Sequence, residues 1–219
     1  MEIVWIIGAG GFGLRAAKYL LHHHKGFQVV LVDRDREKLD QAEALDCTKV
    51  CGDGIDFLNA NIKPGNMSAW IVPAVPVHLA WEWCCRQFGQ EVLSPEALPF
   101  EIERFLPNPM RGAGKDLYVS HADFYCPANC SEPDDFCTVT GEPRKQDMYK
   151  LLAGLRFQNF HALVIQSHQL GPGVGGYRLG ELFALPKKIS QVNGPCLLCT
   201  ACRCHGVITG VPTSIPRVS

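Results

Sequence analysis

Residues 3–13 read IVWIIGAGGFG, and this stretch decides the fold of the N-terminal half. Five apolar residues lead directly into the spacing Gly8-x-Gly10-x-x-Gly13, and a helical pattern follows. A second apolar run, residues 29–32, ends at Asp33, about 20 residues past the last glycine. A buried strand, a glycine turn, a helix, a second strand and an acid in this order predict a Rossmann-type unit that binds a dinucleotide.

Each glycine of the turn has a physical role in such a unit. Gly8 allows a tight turn, Gly10 lets backbone N–H groups approach a pyrophosphate, and Gly13 lets the helix pack close to the strand. The pyrophosphate then lies at the positive end of the helix, so we expect Gly11 and Phe12 to contact it as well. The alternative interpretation is a tight strand-to-helix turn without a ligand.

The residues at the end of the second strand bear on the choice of cofactor. The Asp33 carboxylate is expected to accept hydrogen bonds from the adenosine ribose hydroxyls and to repel a 2′-phosphate. This favours NAD over NADP. The neighbouring Arg34 weakens the preference, because an arginine in this place can accommodate that phosphate.

The bulk composition excludes several classes of protein. The chain has 219 residues and a formal net charge of −1, which gives no support to binding of nucleic acid or of a membrane surface. The most apolar stretch, residues 69–81, is too short to span a membrane and contains Pro73 and Pro76. The first strand begins almost at once, which leaves no room for a signal peptide and predicts a cytoplasmic protein. Its 11 cysteines are then expected to be reduced thiols or metal ligands.

Strands alternate with helices along most of the chain, which predicts a doubly wound, mainly parallel α/β sheet. We expect three parts: an NAD-binding Rossmann unit at 1–93, an irregular crossover at 94–114 and a cysteine-rich α/β half at 115–219. The strands of that last half can continue the first sheet. A fifth strand is predicted at 91–93.

Seven of the cysteines lie in two groups in the second half. The first group is Cys126, Cys130 and Cys137 in a loop, and the second is Cys196, Cys199, Cys202 and Cys204 near a last apolar strand. Clustered thiolates are typical of zinc sites and of iron–sulfur clusters, although redox-active thiols and ordinary buried cysteines are the alternatives. We predict one shared metal centre with ligands from Cys126, Cys130, Cys137, Cys202, Cys204 and His205. The other four, Cys47, Cys51, Cys84 and Cys85, are expected in the core.

Three histidines are candidates for acid–base catalysis. His78 follows the fourth strand, near where a nicotinamide lies in a Rossmann domain, although the sequence favours the alternative of a helix-start histidine beside Trp81 and Trp83. His121 and His168 each follow a predicted strand of the second half, where α/β sheets form their sites. The segment 171–176, GPGVGG, is interpreted either as an anion-binding loop between a strand and a helix or as a plain turn.

Residues 3–58 resemble the nucleotide-binding domain of potassium-uptake and potassium-channel regulatory proteins. The resemblance is carried by the glycine turn at 8–13, by VDRD at 32–35 and by VCGDG at 50–54. It implies that Asp53, which follows the third strand, is a second contact to the nucleotide.

Two functions remain open from the sequence. The first is an NAD-linked oxidoreductase with a cysteine-ligated zinc or iron–sulfur centre, acting on a small anionic substrate or a redox partner protein. The second is a non-catalytic nucleotide or redox sensor related to the potassium-transport regulators. An oligomer is compatible with either.

Overall fold

The computed structural model describes residues 2–89, 95–112 and 114–212. Its strands are β1 (Glu2–Ile7), β2 (Phe27–Asp33), β3 (Thr48–Cys51), β4 (Trp70–Pro73), β5 (Met110–Arg111), β6 (Leu117–Ser120), β7 (His161–Gln166), β8 (His168–Gly171), β9 (Val174–Arg178), β10 (Cys196–Ala201) and β11 (His205–Val211). Its α-helices are α1 (Gly11–His23), α2 (Arg36–Asp40), α3 (Gly54–Asn61), α4 (Leu79–Phe88), α5 (Met148–Ala153) and α6 (Leu179–Gln191). Short 3-10 helices lie at Pro64–Asn66 and Phe100–Phe105.

The first sheet has the strand order β3-β2-β1-β4-β9-β8. Strands β1 to β4 are parallel and are joined by helices, which confirms the predicted Rossmann-type α/β fold. Strand β1 lies inside the sheet, and its side chains alternate between two cores: Val4 and Ile6 on one face, Trp5 and Ile7 on the other. Burial on both faces explains why this strand is apolar throughout rather than alternating with polar residues.

The second half contributes to both sheets. Its hairpin β8–β9 extends the first sheet, because β9 pairs antiparallel with β4. The other strands form a separate sheet in the order β5-β6-β11-β10-β7, in which only β7 and β10 pair in parallel. The last apolar segment, predicted as one strand, is the hairpin β10–β11, with Cys202 and Cys204 in its turn.

One core joins the two sheets. Side chains of α4 and α6 pack in the same cluster as Ile71 and Tyr177 of the first sheet and Leu198 and Val211 of the second. The outer face of the first sheet packs on α1, and that of the second packs on α5. The two halves are therefore layers of one hydrophobic structure, with helices between the sheets.

Some sequence predictions are corrected. The glycine-rich segment 171–176 does not connect a strand to a helix: it forms the turn and facing residues of the β8–β9 hairpin. Its many glycines hide the alternation of side chains that marks a strand. The predicted strand at 91–93 lies outside the described residues. No helix in the described part of the chain combines the length and apolar character that crossing a bilayer requires.

Candidate functional site

The glycine turn between β1 and α1 is built by backbone contacts that two of its glycines alone permit. Gly8 has φ +108°, and a methyl group there would lie 2.4 Å from the Ala74 carbonyl oxygen. A methyl group on Gly13 would lie 1.8 Å from the carbonyl oxygen of Gly8. At Gly10, by contrast, nothing lies within 4 Å of the place where a methyl group would be. The protein fills the space around Gly8 and Gly13 and leaves the space at Gly10 open.

The open space at Gly10 adjoins the N-terminus of α1. No side chain caps this helix and no acidic residue lies in its first turn, so its positive end is not neutralised by the chain itself. The first backbone bond of the helix runs from Leu14 N–H to the Gly10 carbonyl, over 2.9 Å. Uncapped N–H groups beside an open glycine fit a pyrophosphate.

Asp33 closes the other side of the loop. One carboxylate oxygen accepts the Ala9 N–H at 2.6 Å, and the other accepts the Asp35 N–H at 2.9 Å. The carboxylate therefore lies at the carboxyl end of β2, against the glycine turn, where the ribose of a dinucleotide is expected. The contact between Asp33 and the ribose, expected from the sequence spacing, stays a prediction.

Arg34 and Asp53 form an ion pair beside this loop. The second Asp53 oxygen caps α3 by accepting the N–H groups of Ile55 and Asp56, at 2.8 and 2.9 Å. Burial tends to raise the pKa of Asp53, but the Asp56 N–H and the Arg34 guanidinium outweigh it and hold that pKa below its usual value. Arg34 is thus held by a carboxylate, and both oxygens of Asp53 already have partners.

A cavity of about 1080 Å³ lies next to the glycine turn. Phe12, which is 64% exposed at the start of α1, forms part of its wall. The six residues predicted as metal ligands all line it: Cys126, Cys130, Cys137, Cys202, Cys204 and His205. The two cysteine segments are far apart in the chain, and the fold brings them to one cavity beside the glycine turn.

Cys202 and His205 occupy the turn between β10 and β11. The Cys202 sulfur accepts the backbone N–H groups of Cys204 and His205, at 3.4 and 3.3 Å. It also lies 3.9 Å from Nδ1 of His205. Burial is the main cause that raises the pKa of the Cys202 thiol and lowers the pKa of His205.

Glu132 joins this turn from the loop that carries the other cysteines. Its side chain is buried, its φ is +46°, and one carboxylate oxygen accepts the Cys204 N–H at 3.0 Å. Donor atoms of Glu132, Cys202 and His205 all lie within 4.8 Å of one another. Glu132 was not predicted from the sequence, in which its place two residues after Cys130 was the available signal.

The loop with Cys126, Cys130 and Cys137 is also organised around its sulfur atoms. Cys130 Sγ accepts the Glu132 N–H at 3.4 Å. Hydrogen bonds from the backbone of Thr140 and Val139 lower the pKa of Cys137. Burial raises the pKa of Cys126, and the neighbouring Cys130 and Cys137 thiols add to the effect.

The β8–β9 hairpin holds this loop in place. Gly173 N–H donates to the Cys130 carbonyl at 2.8 Å, and the Gln169 amide donates to the same oxygen at 2.9 Å. A methyl group on Gly173, whose φ is +70°, would lie 1.9 Å from the Ala128 carbonyl oxygen. The glycine-rich segment predicted as an anion-binding loop therefore packs on the backbone of the cysteine loop.

The three candidate histidines lie in different surroundings. His78 is buried at the start of α4, with Nδ1 2.7 Å from the Thr209 hydroxyl and Nε2 2.9 Å from the Thr200 hydroxyl. The Thr209 hydroxyl donates in turn to Asp116. Burial lowers the pKa of His78 to about 3, so its imidazole is neutral at pH 7.

His121 lines the large cavity, and its Nε2 atom is buried without a hydrogen-bond partner among the described residues. Burial is the main cause that lowers its pKa. His168 begins β8, where its ring lies 5.6 Å from that of Trp70, and it lines neither cavity described here. The chain turns back into the first sheet after Ser167, which carries His168 away from the cysteine turn.

A second cavity, of about 360 Å³, lies where the segment after β4 faces the second sheet. Its walls include Pro73, Val75 and His78 from that segment, together with Cys202 and His205. Cys202 and His205 therefore line both cavities and form the boundary between them.

The remaining cysteines divide by environment. Cys84, Cys85, Cys196 and Cys199 are buried in the core. Cys51, expected in the core, is exposed at the end of the edge strand β3, and Cys47 is only partly buried. Cys47 precedes this edge strand and Cys51 ends it, and three of the four residues of the strand are exposed.

Comparison with known proteins gives two matching family profiles and one similar protein. A family profile for the TrkA-N domain matches residues 4–61, which confirms the predicted Rossmann-type, dinucleotide-binding domain of potassium-uptake regulators. A second profile, described as "Uncharacterized protein, C-terminal domain", matches residues 80–214. An uncharacterized protein of Archaeoglobus fulgidus is 31% identical over 217 residues, which cover 94% of this chain and 97% of the relative. No solved structure gives a significant match. The chain thus belongs to the family defined by that C-terminal domain, and in this member a TrkA-N domain precedes it.

Proposed function

We propose that the protein is an NAD-linked oxidoreductase whose reaction takes place between the glycine turn and the cysteine-lined cavity. One observation carries the proposal: Phe12 of the dinucleotide loop lines the same cavity as both cysteine segments. In open α/β sheets, the ligand lies outside the carboxyl ends of the strands, where the strand order reverses. Here that point lies between β1 and β4, and the segment after β4 borders the second cavity.

The residues present fit a dinucleotide. The space beside Gly10 is open, the N-terminus of α1 is uncapped, and Asp33 presents a carboxylate at the end of β2. When bound, NAD accepts or supplies a hydride at its nicotinamide ring. Asp33 would orient the ribose and, by its charge, favour NAD over NADP, all the more because Arg34 is paired with Asp53.

Among the candidate histidines, we assign proton transfer to His121, because it is the one of the three that lines the large cavity. Its Nε2 atom is buried and has no partner among the described residues. Both ring nitrogens of His78 are engaged with threonine hydroxyls, and His168 lies away from both cavities. Of the three, His121 therefore best meets the geometric requirement for an acid–base group.

The second candidate function is a nucleotide or redox sensor. It is favoured by the TrkA-N match, since that domain belongs to regulatory proteins of potassium uptake. In a sensor, the β8–β9 hairpin, which pairs with β4 and holds the Cys130 carbonyl, would link the nucleotide half to the cysteine loop. The two functions differ in one respect: a sensor binds NAD without turnover.

Calorimetry and a reductase assay separate them. The protein, purified without oxygen, is titrated with NADH and NADPH and then assayed against carbonyl compounds, quinones and artificial electron acceptors. Gly10→Val should abolish binding and turnover, whereas Gly26→Val, an equally open glycine in the α1–β2 connection, should change neither. If the wild type binds NADH tightly but reduces no acceptor faster than Gly10→Val does, the oxidoreductase function is rejected and the sensor function remains.

A further inference from the structure

We propose that Glu132, Cys202 and His205 bind a single zinc ion that keeps one coordination position open to the cavities. This inference deepens the proposed function, and only the catalytic role of the ion rests on that function. The ligand set differs from the shared thiolate centre that the cysteine spacing predicted. It includes a carboxylate from the 126–137 loop and none of the three cysteines of that loop.

The first support is the convergence of three different donor types. The carboxylate, thiol and imidazole donor atoms lie within 4.8 Å of one another, and the sulfur lies 3.9 Å from the imidazole nitrogen. Zinc bonds of about 2.0–2.3 Å put two ligands of one ion within about 4 Å of each other. Small side-chain adjustments therefore bring all three donors to one ion.

The second support is a pair of backbone donors at the Cys202 sulfur, which would stabilise the thiolate that a bound cation creates. Two N–H groups, of Cys204 and His205, point at the Cys202 sulfur at 3.4 and 3.3 Å. Hydrogen bonds donated to sulfur stabilise its negative charge. A turn that directs two donors at one cysteine is an arrangement suited to a bound thiolate.

The third support is Glu132 itself. A buried carboxylate needs compensation by a cation or by several hydrogen bonds. The described contacts of its oxygens include the Cys204 N–H and no ion pair with a lysine or arginine side chain. Its backbone has φ +46°, a conformation that a residue with a side chain adopts at a cost. A thiolate and a carboxylate together neutralise the two charges of Zn²⁺.

The donor set also favours a zinc ion over an iron–sulfur cluster. Iron–sulfur clusters are held mainly by thiolates, and this group offers only one. One sulfur, one nitrogen and one oxygen suit zinc, and zinc sites with three protein ligands are typically catalytic because a fourth position remains for water or substrate. Cys202 and His205 line both cavities, so the ion would lie where the two cavities meet. The substrate class that follows is a small carbonyl compound or alcohol, whose oxygen becomes the fourth ligand.

Cobalt titration of the metal-free full-length protein tests the ligand set without any assay of activity. We expect one Co²⁺ per chain, with a sulfur-to-cobalt charge-transfer band, and displacement by zinc. Cys202→Ser should abolish the band. Glu132→Gln and His205→Gln should weaken binding by more than about 100-fold, beyond the usual effect of residues outside the ligand shell.

Cys137→Ser is the matched control, because Cys137 lines the same cavity but lies outside the donor group. It should keep the band and the stoichiometry, and circular dichroism verifies the fold of each variant. Loss of the band in Cys137→Ser, or its persistence in Cys202→Ser, would overturn the ligand set, and absence of metal binding by the wild type would overturn the site. Metal binding as expected, without NADH turnover, would instead refute only the oxidoreductase function.

Discussion

The two glycine-rich segments of this protein have similar composition and different structural roles. Residues 8–13 form a turn from a strand into a helix, and Gly10 faces open space. Residues 171–176 form a hairpin whose Gly173 is pressed against the carbonyl of Ala128. The first segment leaves backbone N–H groups for a ligand, and the second uses its N–H to hold the cysteine loop. In both segments glycine lets another part of the backbone approach closely. Only the first segment also leaves open space for a ligand, because the cysteine loop fills the space beside the second.

Among substitutions measured at neutral pH, the largest effect is expected for Gly13→Ala. The added methyl group would lie 1.8 Å from the Gly8 carbonyl oxygen, so α1 must move away from β1. We expect a loss of about 4 kcal/mol in the free energy of unfolding, at the upper end for single substitutions, with loss of NAD binding. Urea unfolding and calorimetry measure the two quantities. A stable variant that binds NAD would contradict the proposed packing of the turn.

Gly173→Ala should have the next largest effect, and a different one. Strain at φ +70° and the contact with Ala128 are expected to cost about 3 kcal/mol. Because the damage falls on the cysteine loop, cobalt affinity should decrease while NADH affinity stays within about twofold of wild type. Calorimetry with each ligand checks this. Equal losses for both ligands would mean that the two glycine segments are not functionally separate.

His78 lies buried where the two halves meet, and its protonation should make the stability of the protein depend on pH. Its pKa is about 3 in the folded protein against an ordinary value of 6.5, so the unfolded chain takes up the proton first. The stabilising contribution is complete above pH 6.5 and is lost as the pH falls toward 3, by about 1.4 kcal/mol per pH unit.

The variant His78→Gln isolates this contribution, because His121 and His205, whose pKa values are also lowered, remain in both proteins. Urea unfolding between pH 4 and 8 should show a shallower decline at acidic pH for the variant. Parallel curves for the two proteins would exclude a buried, neutral His78.

Gly10→Ala should change stability least among the glycine variants and still reduce binding. No atom lies within 4 Å of the new methyl group, so the free energy of unfolding should change by less than about 0.5 kcal/mol. The same methyl group would occupy the space expected for the pyrophosphate, and NADH affinity should fall about tenfold or more. Unchanged affinity would place the dinucleotide elsewhere.

The smallest effect is expected for Arg34→Ala. Its side chain is 80% exposed, and exposed ion pairs such as that with Asp53 contribute little to stability because water screens them. We expect a small decrease in the melting temperature and little change in the preference for NADH over NADPH. A strong gain in NADH preference would show that Arg34 leaves Asp53 to meet a 2′-phosphate.

The predicted parts of the fold are those with a local signal. The strand at 117–120 was placed at its observed bounds, and β1, α1 and β2 followed from hydrophobic runs around the glycine turn. The hairpin of β8 and β9 was missed because glycines show no alternation of polar and apolar faces. The turn between β10 and β11 was missed because one apolar composition continues on both sides of Cys202.

By itself, the sequence determined the dinucleotide loop, since that loop consists of neighbouring residues whose spacing follows from backbone sterics. It also identified the five cysteines that line the large cavity, because a thiol is rare and chemically distinct. Only the tertiary structure decided which donors meet. Glu132 and His205 are 73 positions apart and have no shared period, and they are neighbours because the β10–β11 turn and the cysteine loop pack together through the Cys204 N–H. The same long-range packing engaged both nitrogens of His78 and carried His168 away from the site.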